Sequence, residues 1–177
     1  MKKNYKQLLH QVKAFVFDID GVLNNGVFQI GPDGNPVRNL NSKDGYAIQL
    51  AIKKGYIVAV ISGGHCPGVK ASLQRLGLTD IYMRAAHKMD AWEDLLAVYE
   101  HQNLKAEEIL YMGDDIPDYH VLQAAGIACA PADAVPQIRA IADYVSHSGG
   151  GQGCARDVIE QTLKLQDNWM LEEDFSW

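Results

Sequence analysis

Ala14-Phe15-Val16-Phe17 is four apolar residues in a row, and it runs straight into Asp18-Ile19-Asp20-Gly21. A short run without polar alternation suits a strand covered on both faces, as in the middle of a parallel sheet flanked by helices. Asp18 and Asp20 are two apart, so in extended geometry their side chains leave the same face while Ile19 points the other way. Gly21 permits a sharp turn there. A second run, Ile109-Leu110-Tyr111-Met112, opens into Gly113-Asp114-Asp115-Ile116-Pro117-Asp118. Acids at the carboxyl ends of buried parallel strands lie where open α/β sheets place their ligands. Either motif alone could be an acidic turn closing an ordinary strand; together they can gather up to five carboxylates.

Such a cluster resists assembly unaided, because two like charges about 4 Å apart repel by roughly 4 kcal/mol at an effective dielectric near 20. Something positive has to accompany it. Oxygen-only donors favour a hard cation, above all Mg²⁺, which keeps several waters and is commonly shared with a substrate phosphate.

The rest of the chain alternates strand with helix. We expect a helix over 43–54 ended by Gly55, a strand over 57–61 delivering Ser62-Gly63-Gly64, a helix over 67–76 and a short strand over 81–83. Next comes a helix on which Trp92, Leu95, Leu96 and Tyr99 form a core stripe at i, i+3, i+4, i+7. A strand over 109–112, a helix over 117–125, a strand over 127–130 and helices near 135–141 and 155–165 complete the series. This order predicts a Rossmann-like three-layer α/β/α sandwich with a parallel sheet and right-handed crossovers. Residues 24–42 read as a small β-hairpin flap around Pro32-Asp33-Gly34, projecting over the acidic end of the sheet. Gly149–Gly153 reads as a flexible loop. The tail over 166–177, with Trp169, Met170, Leu171, Phe175 and Trp177, is expected to dock on a partner subunit or, equally, on its own domain.

The 177 residues fit one domain spanning 1–177. A net charge of −6 argues against nucleic acid as a partner, since that needs a basic face. No apolar run approaches the roughly 18–20 residues that span a bilayer, and no apolar segment follows the basic start, so a cytoplasmic protein away from membranes is expected. Cys66, Cys129 and Cys154 have the spacing of neither a disulfide framework nor a zinc site.

Asp18-Ile19-Asp20-Gly21-Val22-Leu23, Ile61-Ser62-Gly63, Lys88 and Gly113-Asp114-Asp115-x-x-Asp118, in that order, resemble the four motifs of the haloacid dehalogenase superfamily phosphatases. Phosphate-monoester hydrolysis needs roughly 20 kcal/mol or more of barrier reduction, and a carboxylate nucleophile can divide the step through a phospho-aspartyl intermediate. Asp18 is the candidate nucleophile and Asp20 the general acid, then base. The resemblance implies that Mg²⁺ is held by the Asp18 carboxylate, the Asp20 main-chain carbonyl and Asp114, with Asp115 and Asp118 supporting. Ser62 and the amide of Gly63 can donate to phosphate oxygens. Lys88 begins the Trp92 helix, where a positive charge opposes the helix dipole; phosphate binding gives that charge a purpose. His87 reads as surface.

Within that superfamily, the small hairpin, the Asn41-Ser42-Lys43-Asp44-Gly45-Tyr46 stretch and Gly150-Gly151-Gln152-Gly153-Cys154-Ala155-Arg156 are similar to the 3-deoxy-D-manno-octulosonate 8-phosphate phosphatases over nearly the whole chain. This resemblance implies a homotetramer whose neighbouring hairpin closes the active site, and a place in lipopolysaccharide precursor synthesis. A sugar-acid phosphate carries a carboxylate as well as a phosphate, for which Arg38, Lys43 and Arg156 are candidates. The chain departs from the family at Gly64-His65, where an arginine commonly stands. His65 can donate hydrogen bonds but lacks arginine's fixed charge, which leaves the nine-carbon 2-keto-3-deoxynononate 9-phosphate open as substrate. A phosphotransferase and an inactive scaffold with the same fold are the rival functions.

Overall fold

The computed structural model describes residues 4–32 and 34–176. Met1, Lys2, Lys3, Asp33 and Trp177 lie outside the described residues, and with them the basic start, the Asp of the hairpin turn and the last aromatic of the tail.

The chain enters through a short helix α1 (Tyr5–Leu8) and a 3₁₀ turn before β1 (Ala14–Phe17), whose four side chains are all buried. The hairpin strands β2 (Gln29–Ile30) and β3 (Pro36–Val37) precede α2 (Ser42–Lys53), β4 (Ile57–Ile61), α3 (Pro67–Arg75) and β5 (Asp80–Tyr82). Then come α4 (Lys88–Val98), β6 (Ile109–Met112), α5 (Tyr119–Ala124), β7 (Ile127–Ala130), α6 (Pro136–Ile141), β8 (Tyr144–Val145) and α7 (Cys154–Leu165). Six of these strands make one parallel sheet in the order β5-β4-β1-β6-β7-β8.

The strand period of two divides β1 between two cores. Phe15 and Phe17 pack on the face covered by α2 and α7, and Ala14 and Val16 on the face covered by α4 and α5. Burying each phenylalanine contributes about 1.5–3 kcal/mol. Trp92 and Leu95 are core, as their spacing predicts, with Trp92 edge-on to Tyr111. The chain runs outward from β1 through β4 to β5, then returns to β6 on the other side of β1. The crevice between the carboxyl ends of β1 and β6 is therefore the point where strand order reverses. No helix among the described residues is long and apolar enough to cross a membrane.

Three features differ from expectation. The hairpin strands are only two residues each, and β8 is an edge strand whose two-residue length carries no readable pattern. The glycine-rich loop is held fast: Gly149 and Gly150 are buried, and Gly151 N–H donates to Val22 O at 2.8 Å. A Cβ on Gly150 would stand 2.1 Å from Gly21 O, so glycine serves close approach there rather than flexibility. Of the two expectations for the tail, its described residues satisfy docking on the same chain. Trp169 packs on the core, Lys54 pairs with Asp174 at 2.8 Å, and the Tyr46 hydroxyl donates to the Asp174 carbonyl.

Candidate active site

The loop after β1 turns back at once. Gly21 adopts φ +93°, and Asn24 organises the bend by accepting from Gly21 N–H at 3.2 Å and Gly26 N–H at 2.7 Å. This leaves Asp18 buried at the strand end and Asp20 half-buried beside the hairpin. From β6 the chain enters a 3₁₀ turn over Ile116–Asp118. Pro117 fits its first turn, and Asp115 caps it by accepting from Ile116 N–H at 2.7 Å. The turn carries Asp118 back under the site, where its carboxylate accepts from Tyr111 OH and from the amides of Asp114 and Asp115.

Lys88, the first residue of α4, is 6% exposed. Its Nζ lies 2.6 Å from Asp118 Oδ1 and 3.0 Å from Asp18 Oδ1. Burial opposes its charge, yet the two carboxylates outweigh burial and hold its pKa above the ordinary value. Asp18 is pushed up to about 8 by burial first and by Asp118 second, against the pull of Lys88. Burial and Asp118 likewise raise Asp114 to about 7. Asp20 goes the other way: burial opposes its charge, but hydrogen bonds from Arg38 and Asn24 prevail and lower its pKa.

Ser62, at the end of β4, is buried, and its Oγ accepts from Gly64 N–H at 3.2 Å, which leaves the hydroxyl proton free to be donated. Gly63 is exposed at the mouth. Asp18, Asp114 and Asp118 thus meet around Lys88, and Asp20, Ser62 and Arg38 meet around Gly64. Lys43, His65 and Asp115 are exposed. Arg156 is engaged elsewhere: its Nε lies 3.2 Å from Glu160 on the same helix, and its guanidinium stands 5.4 Å from the Trp169 ring of the tail.

A family model described as haloacid dehalogenase-like hydrolase matches residues 77–156. The 3-deoxy-D-manno-octulosonate 8-phosphate phosphatase of Salmonella typhi is 34% identical over 155 residues, 88% of this chain and 81% of that protein. The chain belongs to the 3-deoxy-D-manno-octulosonate 8-phosphate phosphatase family. A crystal structure of the Yersinia pestis family member superposes with a TM-score of 0.89 at 31% identity, covering 94% of this chain and 88% of that one. The Moraxella catarrhalis member, in complex with magnesium ion, phosphate ion and KDO, superposes with a TM-score of 0.87 at 27% identity, covering 96% and 95%.

The site fits a hard cation on its own chemistry. Asp18, Asp114 and Asp118 each offer an oxygen within 4.8 Å of the others. Asp118 is already committed to Lys88, Tyr111 and two amides, so Asp18 and Asp114 are the carboxylates with capacity left. Three carboxylates face one lysine; burial first and Asp118 second raise the pKa values of Asp18 and Asp114, and a bound cation would offset both. Sequence reasoning missed Asn24 and Tyr111. Nothing in Asn24-Asn25 marks which asparagine turns inward, and Tyr111 reads as one more apolar strand residue.

Proposed function

We propose that this chain is a Mg²⁺-dependent phosphomonoesterase that hydrolyses 3-deoxy-D-manno-octulosonate 8-phosphate to the free sugar acid and inorganic phosphate. The observation that carries the reading is the pairing of Asp18 with a buried Lys88, itself fixed by Asp118, in a chain of this family.

In this mechanism an Asp18 oxygen attacks phosphorus, the bond from phosphorus to the sugar oxygen breaks, and Asp20 gives its proton to the departing alcohol. Asp20, then a carboxylate, takes a proton from water as that water attacks phosphorus and releases Asp18. Lys88, the Ser62 hydroxyl and the Gly63 amide hold the phosphoryl oxygens throughout. Asp18, Asp114 and the main-chain carbonyl of Asp20 would hold Mg²⁺, which when bound offsets charge shared by nucleophile and phosphoryl group. Asp115 shapes the turn, and Asp118 fixes Lys88. Arg38, Lys43 and His65 serve the sugar end; Arg156 is left out because its guanidinium is taken up by Glu160 and Trp169.

The reading includes a homotetramer working in the cytoplasm. Its support in this chain is the hairpin, where Val27 and Ile30 are 71% and 70% exposed and Phe28 and Val37 lie open beside them. Such a surface is suited to burial against further copies.

The test is phosphate release from octulosonate 8-phosphate, the nine-carbon analogue and neutral hexose phosphates, with Mg²⁺ or EDTA, for wild type and Asp18→Asn. Mg²⁺-dependent turnover favouring the eight-carbon acid, and abolished in the variant, is expected. Preference for the nine-carbon acid, or no turnover by folded protein that binds Mg²⁺, rejects the reading.

A further inference from the structure

Arg38 leaves the hairpin strand β3 and turns inward, its side chain 6% exposed. Nε donates to Asp20 Oδ1 at 2.7 Å and Nη2 to Oδ2 at 2.8 Å, a two-pronged pair that a lysine cannot reproduce. Phe28, on the approach to β2, supports the guanidinium 4.6 Å from its ring centroid. Gly64 makes the room: a Cβ there would stand 2.9 Å from Arg38 Nη2 and 3.1 Å from Asp20 Oδ2. Asn24 Nδ2 donates to the same Asp20 Oδ1 at 2.7 Å. Both oxygens of Asp20 are thereby occupied, and neither is placed to deliver a proton to a departing alcohol.

The rest of the guanidinium is poorly matched. It meets the Cys66 thiol, a weak acceptor, and Nη1 is buried with no hydrogen-bond partner. A buried donor left without a partner is destabilising, so the guanidinium gains by finding one. Arg38 also lines a cavity of about 760 Å³ between the hairpin and α3, with His65, Cys66, Ser72 and Arg75. That cavity offers positive charge, and the described residues lining it include no carboxylate.

We propose that Arg38 is a latch on Asp20 which the substrate's own second anion releases: the carboxylate of a sugar-acid phosphate, entering the cavity beside α3, draws the guanidinium off Asp20. The proposal rests on the sugar-acid reading given above. A phosphate ester without that carboxylate leaves the latch shut, so discrimination against neutral sugar phosphates comes from access to the proton donor as well as from binding. Arg38 acts on the chemistry through Asp20 and is in that sense a positioning residue.

The experiment compares wild type, Arg38→Ala and Arg38→Lys on octulosonate 8-phosphate and a neutral hexose phosphate. In Arg38→Ala the ratio of the two kcat/KM values falls at least tenfold, with KM for the sugar acid rising and kcat for the neutral ester rising; Arg38→Lys restores part of the ratio. An unchanged ratio, or both substrates slowing by one factor, overturns the latch. A second readout does not need turnover: the Arg38 Nε–H resonance of Mg²⁺-loaded wild type, assigned by its loss in Arg38→Ala. It shifts on adding 3-deoxy-D-manno-octulosonate with phosphate but not with phosphate alone. If wild type prefers another phosphate ester, the substrate reading fails by itself, and a resonance unmoved by the sugar acid overturns the latch.

Discussion

Gly21 lies against Asp114 so closely that a Cβ on it would stand 2.0 Å from the Asp114 Oδ2. The loops after β1 and β6 are thus fitted to each other at the point where the two acidic motifs meet. With φ at +93°, an alanine would also carry backbone strain of about 1–2 kcal/mol. Gly21→Ala therefore pushes Asp114 aside while the sheet stays folded. We expect Mg²⁺ affinity at least tenfold weaker by titration calorimetry with an unchanged far-ultraviolet spectrum; unaltered affinity would show that Asp114 does not hold the metal.

Removing Lys88 leaves Asp18 and Asp118 buried without their cation. Breaking such a pair from one side costs about 3 kcal/mol or more. In Lys88→Met we expect turnover to fall at least a hundredfold and the melting temperature to drop in EDTA. Added Mg²⁺ should raise the melting temperature of the variant more than that of wild type, because a cation relieves the same repulsion. Equal shifts would count against a shared electrostatic centre.

Asp44 lies at the amino end of α7, where its carboxylate accepts from Arg156 N–H at 2.7 Å. Burial pushes its pKa up to about 6, against backbone hydrogen bonds from Arg156, Gly153 and Ala155. The folded value lies above the unfolded one, roughly 3.9. Its stabilising contribution is complete below about pH 4 and is lost as pH rises through about 6. Asp44→Asn cannot ionise, so its stability relative to wild type should improve by on the order of 2 kcal/mol between pH 4 and pH 7.5. Urea denaturation at the two pH values checks this, and a constant difference rejects it.

The tail is fastened at Lys54–Asp174, where both side chains are nearly buried. Asp174→Ala should release the stretch from Trp169 onward, and limited proteolysis would then cut there at a rate at least several times that of wild type. An unchanged cleavage pattern would mean that Trp169 and the Tyr46 bond to the Asp174 carbonyl secure the tail without the ion pair.

Strands β4, β6 and β7 match the sequence reading to the residue, and β1 matches its opening apolar run, because strands buried on both faces are unbroken apolar runs. The acids of the two motifs were legible as carboxylates that could gather at one site, but the turn that returns Asp118 beneath Asp114 was not: the stretch from Pro117 read as helix, whereas a 3₁₀ turn over Ile116–Asp118 comes first. Arg38 pairing with Asp20 was not legible. The two are 18 residues apart, and the contact depends on how far a glycine- and proline-rich hairpin folds over. Lys88 was legible as a misplaced charge, but its burial between Asp18 and Asp118 required the fold.

The close fit of the glycine-rich loop bears on how the protein is made. Gly151 N–H and the Cys154 thiol both donate to Val22 O, the latter across 132 residues of chain, and Gly150 lies flush against Gly21 O. The wall behind the acids of β1 is built by a segment that follows every strand of the sheet in chain order. A nascent chain that has emerged only as far as β7 has its acidic residues but no backing to hold them in place. The acidic motifs therefore wait for the segment after β8, and a chain that stops short of it carries those motifs without their backing.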